Sequence, residues 1–144
     1  MARTNSRHGA RDFLVRALYQ WQFTNHDHAE LVDQFEREAG FSAIDQAYFR
    51  SLLEIVLEDV ETLDGIIAGL AARPLAQLDA VGRAILLLAL AELRHRPDVP
   101  KNVIINEAVE LAKRYGATDS YRFVNALLDN AARELGDRDG RLTE

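Results

Sequence analysis

The 144-residue chain contains no cysteine, which excludes disulfides and thiolate chemistry. Its longest unbroken apolar run, 84–91, falls far short of the roughly 20 residues that a membrane-spanning helix needs. The first residues include arginines but no apolar signal-peptide core behind them, so the cytoplasm is the expected compartment. There is no alternating strand pattern, no fixed-period repeat and no low-complexity tract. Also missing are a glycine-rich phosphate loop, a recognised metal motif and a nucleophile constellation; no cofactor, metal or catalytic residue is therefore expected, and the chain reads as a non-enzyme. His26 with His28, and Glu92 with His95 and Asp98, have spacings that permit proximity. Asp98 nevertheless follows the helix-breaking Pro97, and histidines in loops or at helix ends explain both sets better.

What the chain does have is helical periodicity nearly everywhere. A 48% hydrophobic content over this length suits one globular domain. Breaks near 26–28, Gly40, Arg73-Pro74, 97–100 and Gly116 divide it. The first helix puts Ala10, Phe13, Leu14, Ala17, Leu18 and Trp21 on one face. Ala29, Val32 and Phe35 mark a shorter helix closed by Gly40. Phe49, Leu52, Leu53, Val56, Val60 and Leu63 mark a third, and Leu63, Ile66, Ile67 and Leu70 another before Pro74. The segment 78–95 is apolar on almost every side through Ile85, Leu86, Leu87, Leu88 and Leu90, so other helices must enclose it. The expected fold class is all-α with about seven helices, and residues 1–5 and 136–144 are expected to be loose ends.

The net charge of −6 argues against nucleic acid until its distribution is considered. Residues 1–24 carry four arginines against one aspartate, a local +3 that leaves −9 on the remainder. Such asymmetry holds an anionic polymer at one edge while the acidic surface discourages indiscriminate coating. Arg7 and Arg11 lie four apart, which on a helix sets like charges together at a cost of a few tenths of a kcal/mol unless an anion compensates; Arg3 extends the row. A solvated basic face is the plainer explanation.

The stretch 99–129 is the most informative. Pro100 suits a helix entrance, after which Ile104, Ala108, Leu111, Ala112 and Tyr115 share one face. Gly116 stands where a left-handed C-terminal cap is usual, and Thr118, Asp119 and Ser120 can all cap the next helix. In that helix Val124, Leu127, Leu128, Ala131 and Leu135 form the apolar stripe, Arg122, Asn125, Asp129 and Arg133 take the opposite side, and Phe123 lies at the margin. Two helices joined by a short turn also suggest a DNA-reading helix-turn-helix, but Asp119, Asp129 and Glu134 oppose Arg122 and Arg133 on the reading helix.

PKNVIINEAVELAKRYG followed by DSYRFVNALLD resembles the C-terminal signature of the NusB family of bacterial transcription antitermination factors. ARDFLVRALYQWQ at 10–22 is similar to that family's first helix, and DQAYFRSLLEIV at 45–56 also matches, so the resemblance covers nearly the whole chain. It implies two three-helix subdomains packed across one another. It further implies binding of boxA single-stranded RNA together with NusE, a ribosomal small-subunit protein, to help RNA polymerase resist termination, notably in ribosomal RNA transcription. On that basis phosphate binding is favoured for Arg3, Arg7 and Arg11, and RNA contact for Tyr115, Asp119, Ser120, Arg122 and above all Phe123. Either aromatic could offer a stacking face worth about 1–3 kcal/mol per base if exposed.

The resemblance maps the protein partner onto Tyr19 and the outer side of helix 78–95, with Arg83 and Leu87. The chain departs from the pattern there. Many family members have glutamate at Gly82, arginine at Leu87 and an aromatic at Ala91, and the last two changes make room for another hydrophobic interface, including a homodimer. Alternative functions are a helical interaction or dimerisation module, and a NusB-like RNA-binding domain separated from a ribosomal RNA methyltransferase.

Overall fold

A computed structural model describes the backbone of residues 2–71 and 78–142 and the side chains of 6–71 and 78–135. Among the described residues there are six α-helices and no strand. They are α1 (Ala2–Thr24), α2 (His28–Glu36), α3 (Gln46–Leu70), α4 (Ala80–His95), α5 (Lys101–Tyr115) and α6 (Ser120–Leu142), with one turn of 3-10 helix at Phe41–Ala43. The backbone is helical over 2–5 and 136–142, ranges expected to be loose ends; their side chains, and the break expected at Arg73-Pro74, lie outside the described residues.

Local chemistry sets most boundaries. Asp27 caps α2 in a reciprocal box: its carboxylate accepts from the Glu30 N–H at 2.8 Å while Glu30 accepts from the Asp27 N–H at 2.9 Å. Asp45 caps α3 by accepting from the Tyr48 N–H, Asp79 caps α4 by accepting from the Gly82 N–H, and Pro100 stands at the entrance of α5. The two stripes that meet at Leu63 belong to one helix, α3, because no proline interrupts 46–70; the six helices among the described residues are close to the expected count of about seven. In α2 the buried positions are Leu31 and Phe35, whereas Ala29, expected on the buried stripe, is exposed.

Helix α4 is the centre. Every residue from Ala84 through Leu93 is buried, and α1, α3, α5 and α6 all pack against it. A second part of the core is aromatic: Phe13 meets Phe35, Phe41 and Phe49 edge-on with ring centroids 6.2, 5.5 and 6.3 Å away, tying α1 to α2, the 3-10 turn and α3.

Among the described residues the buried charges, Arg11 and Glu92, form one cluster in this interior. Glu92, 1% exposed, receives the guanidinium of Arg11 at 2.9 Å and the hydroxyl proton of Tyr48, joining α4 to α1 and α3. Burial, and then the charge and hydrogen bond of Glu92, push the Tyr48 hydroxyl well above the usual tyrosine range. A pKa raised on folding means that the hydroxyl's stabilisation is complete below about pH 10, where an unfolded tyrosine keeps its proton, and is lost as pH rises further. Thermal melts from about pH 8 to 11 are expected to fall more steeply above about pH 10 in the native chain than in Tyr48→Phe. Parallel curves would show that the hydroxyl does not couple folding to pH.

Candidate nucleic-acid interface

The turn between α5 and α6 gathers four of the RNA candidates, Tyr115, Asp119, Ser120 and Arg122, and Phe123 follows one residue on. Gly116 does not adopt the expected left-handed cap; its φ is −87°, an ordinary extended conformation. Its reason for being glycine is space, because a Cβ there would stand 2.3 Å from Ser120 Oγ and 2.7 Å from the Ala112 carbonyl. The left-handed residue is Asp119, with φ 72°, a conformation that aspartate tolerates better than most side chains. The reversal places the Ser120 N–H on the Ala117 carbonyl at 3.0 Å and leaves Ser120 Oγ buried without a hydrogen bond. Asp119 stays exposed, 3.7 Å from Arg122.

Tyr115 is 37% exposed, and its hydroxyl donates to Asp12 of α1 at 2.7 Å; Arg114 donates to the same oxygen at 3.1 Å. Burial, then the hydrogen bond to Asp12, raises the Tyr115 pKa and keeps it a donor. Asp12, which the sequence pattern does not single out, thereby anchors the turn to the first helix. Phe123 is half-buried and packs against the core with part of its ring at the surface, as its marginal position on the helix suggests. Sequence reasoning also passes over Tyr121, whose ring carries Lys113 at 5.0 Å and Arg122 at 5.7 Å and gathers positive charge at the turn.

The basic row on α1 comes apart. Arg3 lies where side chains are outside the described residues. Arg11 is only 3% exposed and is committed to Glu92, with Glu107 3.7 Å away, so it is neither the solvated basic residue that the spacing suggests nor the surface phosphate ligand that the resemblance implies. The i, i+4 pattern shows a shared helix face but not whether that face carries a buried counterion. Arg7 remains at the surface with a quarter of its side chain exposed.

The partner candidates also divide. Tyr19 is 43% exposed and leans on Phe23, 68% exposed, with their rings 5.1 Å apart. The pair walls a groove of about 520 Å³ whose floor includes Val15, Phe35 and Val81, with Arg16 and Glu38 also lining it and Tyr115 among its residues. Phe23 is the residue that periodicity misses, because it falls outside the apolar stripe. Arg83 sits half-buried at the start of α4, donating to both Asp64 oxygens at 3.1 and 2.6 Å and lying over the Trp21 ring. Leu87 and Ala91 are fully buried within the chain's own core, which corrects the expectation that they face a partner or open a dimer surface. Gly82 lies under the cap: a Cβ would stand 2.9 Å from the Asp79 oxygen and 3.1 Å from Leu78, so a larger residue there would require these two side chains to shift.

His26 and His28, and Glu92, His95 and Asp98, do not converge. His28 meets the Arg50 carbonyl, His95 meets Asp59, Glu92 is enclosed with Arg11, and Asp98 pairs with Arg96. Among the described residues no group of three or more metal-ligating side chains forms, and no helix is long and apolar enough to cross a membrane.

The model of the NusB family matches residues 8–133. The chain is 46% identical over 127 residues to the transcription antitermination protein NusB of Yersinia enterocolitica, covering 88% of this chain and 92% of that protein, and equally similar to the protein of the same name from Yersinia pestis. Its backbone resembles a solved structure of NusB from T. maritima with a TM-score of 0.79 and 32% identity, over 89% of this chain and 91% of that one.

Proposed function

This chain belongs to the NusB family of transcription antitermination proteins, and on that premise we propose that it binds boxA single-stranded RNA jointly with NusE and helps assemble the antitermination complex on RNA polymerase in the cytoplasm. The observation that carries this reading is the continuity of two surfaces through one residue. Tyr115 belongs both to the polar-aromatic turn and to the groove walled by Tyr19 and Phe23. A strand lying on the turn and a protein seated in the groove would therefore be neighbours.

On the RNA side, Phe123 and Tyr115 supply ring surface for bases, and the exposed Asp119 supplies acceptors for base edges. Lys113, Arg114 and Arg122 supply positive charge at the turn and Arg7 supplies it on α1, against an acidic remainder. On the protein side, an exposed aromatic pair over an apolar floor is the kind of surface on which buried anchors of a partner carry binding energy. The work is binding and positioning, without a chemical step.

Fluorescence anisotropy with boxA-like and scrambled single-stranded RNAs, with and without NusE, at two salt concentrations tests the reading. Selective binding that NusE strengthens is expected; equal weak binding of both RNAs would reduce the basic surface to unselective electrostatics. Phe123→Ala is expected to weaken binding of the boxA-like RNA by about 1–3 kcal/mol, the value of one stacked base. A large fall in melting temperature with undiminished binding by the folded variant would instead assign Phe123 to the core.

A further inference from the structure

Tyr115 ends α5 and serves both the turn and the groove, but its ring is 37% exposed, and Gly116, the next residue, brings no side chain to brace it. The brace comes from α1. Asp12 Oδ1 accepts the Tyr115 hydroxyl at 2.7 Å and Arg114 Nη1 at 3.1 Å, and the Arg114 guanidinium lies 5.8 Å from the centre of the same ring. The carboxylate is itself held from the groove side. Its other oxygen stands 3.5 Å from Arg16 Nε, Arg16 donates to Glu38 at 2.9 Å, and both of these residues line the groove. Asp12 is mostly covered, with 19% of its side chain exposed.

We propose that Asp12 is a positioning residue that pre-organises Tyr115 for two ligands at once, setting the ring in advance where a base of the strand and an anchor of the protein partner each meet it. The inference rests on the reading of a turn for RNA and a groove for a protein, and adds a thermodynamic role for a residue that touches neither ligand. Without the hydroxyl bond the ring samples other rotamers, and whichever ligand binds first must restore the competent one. Each lone affinity then falls by the competent fraction. The second ligand finds the ring already placed and loses nothing, so apparent cooperativity rises by the same factor. Loss of a direct contact has a different signature, because the contact stays missing whether or not the other ligand is bound.

The test compares the full native chain with Tyr115→Phe, which keeps the ring and the net charge. Three affinities are measured: boxA-like RNA alone, NusE alone, and the RNA at saturating NusE. In Tyr115→Phe the first two are expected to weaken by one common factor, about 2–10-fold, the worth of one hydrogen bond. The third is expected to return to the native value. Asp12→Asn retains an oxygen acceptor and Asp12→Ala does not, while both lose the charge, so Asp12→Asn is expected to stay closer to the native lone affinities. Melting temperatures are recorded in parallel. If Tyr115→Phe lowers the melting temperature but leaves both lone affinities unchanged, the bond is structural and the proposal is overturned. So is it if only one ligand weakens, if saturating NusE fails to repair the loss, or if Asp12→Asn matches Asp12→Ala. Should the native chain bind neither RNA nor NusE, the underlying reading fails and this inference with it; native binding as expected beside an unaffected Tyr115→Phe defeats the inference alone.

Discussion

Glu92→Ala is expected to destabilise the fold by about 3–5 kcal/mol, because it removes one member of a buried ion pair and leaves the other uncompensated. Arg11 is 3% exposed and would keep only Glu107, 3.7 Å away, while the Tyr48 hydroxyl would lose its acceptor. Burial alone lowers the pKa of Arg11, yet the adjacent Glu92 more than reverses this, so the guanidinium stays charged and demands a counterion. Removing the demand along with the supply should behave differently. Arg11→Met, Tyr48→Phe and Glu92→Leu combined are expected to be markedly more stable than Glu92→Ala, since well-packed apolar groups replace buried charges at little cost. Urea unfolding followed by circular dichroism measures both. If Glu92→Ala lost less than about 1 kcal/mol, the range of exposed pairs, the interior placement of this group would be wrong.

The second large effect concerns Leu87, fully buried in α4. Leu87→Ala should cost about 2–5 kcal/mol, the lost transfer energy plus the cavity left among side chains from the surrounding helices. NusE affinity, measured where the variant is folded, is expected to be unchanged. A fall in that affinity with native stability would return Leu87 to the surface. The contrast with Tyr19 and Phe23 is instructive, because their rings are already exposed and trimming them costs the fold little.

These two sites also show how far the sequence could be read. Apolar stripes located α1, α4, α5 and α6 because a helix facing a core must repeat near every third and fourth residue, and the enclosure of 78–95 followed from its lack of a polar side. The stripe on α3 was legible too, but not its continuity through Leu63, since periodicity records faces and not where a helix stops. The candidate site was legible in its turn, where glycine, capping residues and two aromatics cluster. Arg11 was not legible, because its counterion is 81 residues away and no local pattern announces a tertiary ion pair. Gly116 was correctly marked as a turn residue for the wrong reason, which only the distance to Ser120 Oγ and the positive φ of Asp119 could reveal. Phe23 escaped because exposed aromatics break the pattern that finds buried ones.

The enclosure of α4 bears on how the chain emerges from the ribosome. When His95 has been synthesised, α1 and α3 are already present, but α5 and α6, which cover the remaining sides, follow it in the chain. Leu135, the last buried residue described on α6, arrives 40 residues later, about 2–8 s at roughly 5–20 residues per second. During that interval only α1 and α3 can cover the helix that carries the longest buried run among the described residues. Once α4 has left the ribosome, and until α5 and α6 have followed and docked, its leucine-rich face is open to chaperones and to other unfinished copies.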